Sequence, residues 1–268
     1  MLRQLCFGVI AMAAALNATD SGMAANPDLV ARGEYLARAG DCVSCHTAAG
    51  KNAPPYAGGL AISTPYGALI SPNITPDAET GIRTWTADDF WRALHFGYNK
   101  RGEPLYPAMP YVFFTKVTRE DSDAIYAYLR SVKPVKHEVD TNQLRWPFDM
   151  RFAAMTSWQT LYFTPGTYKP DPSKSAEWNR GAYLVEGLGH CGACHTPRNF
   201  MGAVETSERF TGAEIGSWFA PNITPNLRHG IGQYTADELA QFFKTGVMTR
   251  TADQFANAVN VYGFSGRQ

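Results

Sequence analysis

The sequence is short of cysteine, of net charge and of long apolar runs, and each shortage excludes something. It has five cysteines in 268 residues. Cys6 lies in the N-terminal apolar segment, and the other four fall within two pentapeptides, so none is spare for a disulfide framework. Lys+Arg and Asp+Glu both number 24, and no run of like charge occurs. No basic field is therefore available to draw nucleic acid. The apolar run Leu5 to Leu16 is too short for a comfortable transmembrane helix. With Arg3 before it, and the small residues of Gly22-Met23-Ala24-Ala25 after it, the run reads as a secretory signal over residues 1–25. An uncleaved anchor is the alternative. Export places the mature chain in the periplasm and removes the cytosolic reading of Cys-x-x-Cys as a redox dithiol.

What is present is a folded composition. Hydrophobic residues make up 45% and charged residues 18%, which is globular rather than disordered. The length suits about two domains. Aromatic residues, at 13%, suit packing around a large flat apolar group, and equally any dense core.

Cys42-Val43-Ser44-Cys45-His46 is a C-x-x-C-H string, and Cys191-Gly192-Ala193-Cys194-His195 repeats it. Such a string is an attachment site for haem c. Two thiols at this spacing reach one side of a porphyrin and form thioethers with its vinyl groups. The adjacent histidine then offers its imidazole to the iron. The expectation is two covalently bound haem c groups, held by Cys42, Cys45, Cys191 and Cys194, with His46 and His195 as axial ligands. A zinc site would need all four cysteines to converge and would leave both histidines unexplained.

Leu29 to Ala39 shows helical periodicity, with Asp28 as cap and Gly40 as stop. Residues 51–79, rich in Pro and Gly, read as loop. Thr86 caps a second helix, Phe90 to Phe96, that stops at Gly97. Thr118 opens a third that runs through Val132, with Ile125, Tyr128, Leu129 and Val132 on one face. That helix should cross the first, with Gly33 admitting Tyr126 or Tyr128. Met109, between Pro107 and Pro110 in the loop joining the last two helices, is the expected sixth ligand of the first iron. Residues 140–172 are too apolar for a free linker and are expected between domains or against a partner.

The second half repeats the first. Arg32-Gly33 matches Arg180-Gly181, Pro72-Asn73-Ile74-Thr75-Pro76 matches Pro221-Asn222-Ile223-Thr224-Pro225, and Gly97 matches Gly246. From the cysteines onward the register is constant, with no net insertion. The expected divisions are a signal over 1–25, a first domain over 26–139, a connector over 140–172 and a second domain over 173–268. The repeat then fails. Met109 would correspond to Ala258, and the third helix would begin near Gln268, so the second domain is expected to lack its C-terminal helix. Met248 is the nearest candidate for its distal ligand, and Met201 a weaker one. Pro72 and Pro221 are candidates for the carbonyl that orients each histidine, with loop shaping alone as the equal alternative. Trp85 and Tyr234 match in register and could reach a haem propionate or be plain core. His95, His137, His190 and His229 have no repeated partner and read as structural or surface residues.

Arg32 to Thr47, Ser71 to Pro76, Leu105 to Tyr111 and Arg180 to Asn199 together resemble the multihaem cytochrome c subunit of membrane-bound bacterial dehydrogenases. These include quinoprotein alcohol dehydrogenases and flavin-dependent gluconate, sorbitol or fructose dehydrogenases. The resemblance implies a mainly α fold of two tandem class I cytochrome c domains wrapped around haem. It implies an electron-transfer subunit with no substrate chemistry of its own. The partner would be a quinoprotein or flavoprotein catalytic subunit, and the acceptor quinone or a terminal oxidase. Members carry three C-x-x-C-H domains and a C-terminal anchor. This chain shows two strings and no anchor, so its expected place is periplasmic, peripheral at the inner membrane through its partner. If no methionine reached the second iron, the contrasting reading would be a dihaem protein that acts on or senses peroxide or a gas.

Overall fold

The computed structural model describes residues 26–247. These fall into two compact units, 26–174 and 175–247. The expected signal segment, Met248, Ala258 and the question of a closing helix after Gly246 all lie outside the described residues.

In the first unit, α1 (Pro27–Ala39) starts two residues earlier than Asp28 capping would require. Its cap is Asn26, whose Oδ1 accepts from the Asp28 and Leu29 N–H groups at 3.0 and 3.3 Å. Pro27 occupies the first helical position, where its missing donor costs nothing. The short α2 (Cys42–Cys45) carries the first cysteine pair. Inside the stretch read as loop lies a hairpin of β1 (Ala61–Thr64) and β2 (Gly67–Ile70). The helix α3 (Ala87–Phe96) has a full capping box of Thr86 and Asp89, and Gly97 ends it with a left-handed φ of 70°. After α4 (Tyr111–Phe114), Thr118 caps α5 (Arg119–Ser131).

The segment 140–172 folds onto this first unit. Its strand β3 (Asn142–Leu144) joins the sheet antiparallel to β2. Its helix α6 (Arg151–Tyr162) sends the Gln159 amide to the Gly97 carbonyl at 3.2 Å. Beyond it, the Gly166 and Tyr168 N–H groups donate to Thr115 Oγ1 and the Lys116 carbonyl, at 2.8 and 3.0 Å. Tyr111 stacks edge-on with Phe163 at 5.0 Å. Its apolar residues are thus partly used within one unit.

The core of the first unit is the crossing of α1 and α5. Leu36, Ala37, Ala124, Ile125 and Leu129 are buried there. Each fully buried Leu or Ile contributes about 1.5–3 kcal/mol. Gly33 makes the crossing close: a Cβ on it would lie 1.9 Å from the Ala124 carbonyl oxygen and 2.8 Å from Tyr128 Cβ. Tyr126 turns instead to α3. Its ring sits 5.5 Å from Phe90, and its hydroxyl donates to the Trp85 carbonyl at 2.5 Å.

The second unit repeats this frame. It holds α7 (Ala176–Tyr183), a π-helical turn over Leu184–Leu188, α8 (Gly192–His195), the hairpin β4 (Ala213–Ile215) and β5 (Trp218–Ala220), and α9 (Ala236–Thr245). Thr235 and Glu238 form the same capping box, and Gly246 the same left-handed stop. The constant register hides two changes that offset each other. His195 to Gly212 is longer than His46 to Gly58, and Gly212 to Pro221 is shorter than Gly58 to Pro72 by the same amount. The matching of these points rests on bonds: Gly58 N–H donates to the His46 carbonyl at 2.7 Å, and Gly212 N–H to the His195 carbonyl at 2.9 Å. The described residues are therefore mainly helical, with one three-stranded and one two-stranded sheet among them.

Candidate haem-attachment sites

Both strings adopt one backbone shape. The residue before the first cysteine is left-handed in each copy, Asp41 with φ 52° and His190 with φ 38°. Such a φ in a residue other than glycine is held by its surroundings. One helical turn follows, closed by the His46 N–H to the Cys42 carbonyl and the His195 N–H to the Cys191 carbonyl, both at 3.0 Å. That turn carries both thiols of each pair. None of the four is joined in a disulfide. Burial, with help from the Asp41 carboxylate, pushes the Cys42 thiol up to about 12. Burial also raises Cys191. Cys42 and Cys191 are thus held neutral.

Each histidine then turns back to a proline carbonyl. His46 Nδ1 lies 2.8 Å from the Pro72 oxygen, and His195 Nδ1 lies 2.6 Å from the Pro221 oxygen. A carbonyl only accepts, so Nδ1 carries the proton and Nε2 keeps the lone pair for a metal. Burial holds His46 below the usual histidine range, while the Pro72 bond works the other way. The ring is neutral in the form that ligates. Pro72 and Pro221 occupy the place expected of them.

Threonine follows the histidine in both copies, and sequence reasoning gave it no role. Thr47 Oγ1 accepts from Tyr56 N–H at 3.2 Å, and Thr196 Oγ1 from Phe210 N–H at 3.0 Å. Tyr56 and Phe210 are both left-handed, with φ 63° and 64°. Their carbonyls accept from the Ile74 and Ile223 N–H groups, each at 2.9 Å. The threonine thus ties each string to its Pro-Asn-Ile-Thr loop. The recurrence of Thr after C-x-x-C-H was the available signal.

Other candidates divide. Met109 sits in a turn fixed by its N–H to the Tyr106 carbonyl at 3.1 Å and by its own carbonyl to Tyr111 N–H at 2.7 Å. Met201 is exposed in a turn held by the Asn199 side chain. Met248 lies outside the described residues. Trp85 and Tyr234 match in backbone, donating to the Ile82 and Ile231 carbonyls, each at 3.0 Å. The rings of His137 and His190 bond the Ala57 and Leu188 carbonyls. His95 is buried against Trp91 with ring centroids 4.3 Å apart, and burial lowers its pKa. Among the described residues, no group of three or more Cys, His, Asp or Glu gathers as a metal cage.

The donor set fits haem c: two thiols on one turn, beside an imidazole whose far nitrogen is turned away from the proline carbonyl. That chemistry defines a c-type cytochrome. The Cytochrome c family profile matches residues 30–133. The fructose dehydrogenase cytochrome subunit of Gluconobacter japonicus is 44% identical over 234 residues, covering 86% of this chain and 48% of its own length. A nicotinate dehydrogenase subunit from Pseudomonas putida is 46% identical over 219 residues, covering 81% of this chain and 18% of its own length. A protein named "Diheme cytochrome c-type" from Cereibacter sphaeroides is 34% identical over 220 residues, covering 80% of this chain and 72% of its own. The chain belongs to the cytochrome c family and is related to the cytochrome subunits of dehydrogenases. It spans about half the length of the fructose dehydrogenase subunit and less of the one from the nicotinate enzyme.

Proposed function

We propose that the chain binds two haem c groups, one at each string, and relays electrons from a dehydrogenase subunit to quinone or a terminal oxidase. Bound there, haem c supplies one-electron exchange at its iron. The protein's part is to hold and orient. Cys42 and Cys45 fix the first group, and Cys191 and Cys194 the second. The Pro72 and Pro221 carbonyls set the tautomer and plane of His46 and His195. Met109, between two prolines, supplies the soft sixth ligand at the first site, and Met248 is the candidate at the second.

The observation that carries this reading is the duplicated histidine-to-proline bond behind each Cys-x-x-Cys-His turn. The location is the periplasm, after removal of residues 1–25. No helix among the described residues is long and apolar enough to cross a membrane, and the proposed route to the inner membrane is through the partner. The partner is a quinoprotein or flavoprotein dehydrogenase, and the related fructose dehydrogenase subunit supports a dehydrogenase partner. The test is to recover the haem-loaded chain with its bound partner from the producing cells and add alcohols, sugars or sugar acids. Reduction of the haem absorbance by one of them is expected. Recovery of the chain alone, unreduced by every substrate and by a candidate dehydrogenase added back, would contradict the reading.

A further inference from the structure

The carbonyl that receives the His46 proton is itself fastened, and the two copies differ in how. Gly58, with φ +76°, presses its backbone against the Pro72 peptide. A Cβ there would lie 2.5 Å from the Pro72 carbonyl carbon and 2.7 Å from the Asn73 nitrogen. On the other side stands Asn73, which is 4% exposed. Its Oδ1 accepts from the Thr75 N–H at 2.9 Å and the Thr75 hydroxyl at 2.7 Å. Its Nδ2 donates to Thr80 Oγ1 at 2.9 Å and to the Val135 carbonyl at 2.7 Å. Thr80 Oγ1 accepts in turn from the His137 N–H at 3.0 Å, and Thr75 Oγ1 from the Val135 N–H at 3.1 Å. Residues 135–137, beyond α5, are laced to the residue next to Pro72. Such a satisfied network, built around the buried Asn73 and Thr75, is rigid.

The second copy keeps half of it. Asn222 Oδ1 accepts from Thr224 N–H and Oγ1 at 2.8 and 2.7 Å. Among the described residues, its NH2 group makes no hydrogen bond. Its Thr80 counterpart in the register is His229, which has no hydroxyl to accept, and whose N–H goes to Asn226 Oδ1 at 2.9 Å. Gly212 also sits further back, with a Cβ 3.1 Å from the Asn222 nitrogen. The histidine bonds themselves are alike, at 2.8 and 2.6 Å. What differs is the backing behind the carbonyl.

We propose that Asn73 is a positioning residue for the first haem, locking the Pro72 carbonyl to residues 135–137 so that His46 is held more stiffly than His195. This rests on the reading that both strings carry haem c. A carbonyl kept in line with Nδ1–H keeps the imidazole electron-rich, which favours the oxidised iron.

The test uses the full haem-loaded chain, with haems counted first by intact mass. In the reduced protein, the His46 Nδ1 proton is expected to exchange with solvent more slowly than that of His195, read by NMR. Thr80→Val and Asn73→Ala are expected to speed exchange at His46 and to move the first haem's midpoint to more positive potential. The second haem's midpoint, read in the same sample, stays in place. Equal exchange at the two histidines, with both haems counted, overturns the proposal. So does an unmoved first midpoint in Thr80→Val. If Asn73→Ala loses the first haem, the milder Thr80→Val decides. If the mass shows a single haem at the first site, the dihaem reading fails, and the first midpoint in Thr80→Val still judges Asn73.

Discussion

Gly33 and Gly181 hold the same place in the repeat and meet different surroundings. A Cβ on Gly33 enters the Ala124 carbonyl, whereas one on Gly181 meets nothing within 4 Å. Gly33→Ala must push α1 off α5, at a cost of about 1–3 kcal/mol from overpacking. Gly181→Ala is expected to stabilise α7 by about 0.5–1 kcal/mol, the usual gain in a helix interior. Thermal unfolding of the two variants checks both signs. The need for glycine at Gly33 was legible from its place between two helices. So was the approach of Tyr128, whose Cβ lies by Gly33, while Tyr126 turns to Phe90 and Trp85. Met109→Ala is expected to open the first iron, so that carbon monoxide shifts the reduced spectrum where the parent chain shows no such shift there. An unchanged response would remove Met109 from the ligand set.

Glu103 gives a pH prediction. Arg101 first, then Asn99, hold its carboxyl well below the ordinary 4.5, at about 2. A lowered folded-state pKa means that the stabilisation is complete above the unfolded value and is lost as pH falls through the folded one. The loss therefore runs from about pH 4.5 down to about pH 2. Glu103 is over a third exposed, so solvent screens the effect and only a fraction of the full shift counts. Glu103→Gln is expected to show a shallower fall in stability across that window, measured by acid titration of the folded signal.

Among the elements, α3 and α9 share a capping box and a glycine stop, yet their burial diverges. Leu94 in α3 is 7% exposed, and Phe243, at the same register in α9, is 82% exposed. In the first unit α5 supplies the cover, and among the described residues α9 buries none of its own. The α1–α5 crossing is also tied by Arg32 Nε to Asp121 Oδ1 at 3.0 Å. Asp121 is buried while Arg32 is more than half exposed. Asp121→Ala should cost about 1–3 kcal/mol, the range for a lost hydrogen bond to a buried charged group. An ordinary surface pair contributes a few tenths to about 1 kcal/mol. Urea unfolding separates the two.

Helix limits were readable where a side-chain cap or a glycine stop marks them, as Thr86, Thr118, Gly97 and Gly40 do. The hairpins were not. Their strands are three or four residues long, too short for an alternating pattern to stand out among Pro and Gly. The offsetting loop and hairpin lengths left the register unbroken, so nothing in the alignment of the halves exposed them. Residues 140–172 read as apolar from composition, but only pairing of β3 with β2 and the bond from Gln159 to Gly97 assign the segment to the first unit.

At the scale of the whole molecule, the site was more legible than the fold around it. Cysteines and histidines at fixed spacing state their chemistry locally, whereas the Asn73 network spans Asn73 to His137 and exists only once the chain is folded. The central claim is one haem c on each string. Intact mass of the chain, produced with a c-type maturation system, tests it most directly, alongside a Cys42→Ser/Cys45→Ser variant and a Cys191→Ser/Cys194→Ser variant. The account predicts the mass of two covalent haems on the parent chain and of one on each variant. A parent chain carrying one haem or none, or a variant that keeps two, would contradict it.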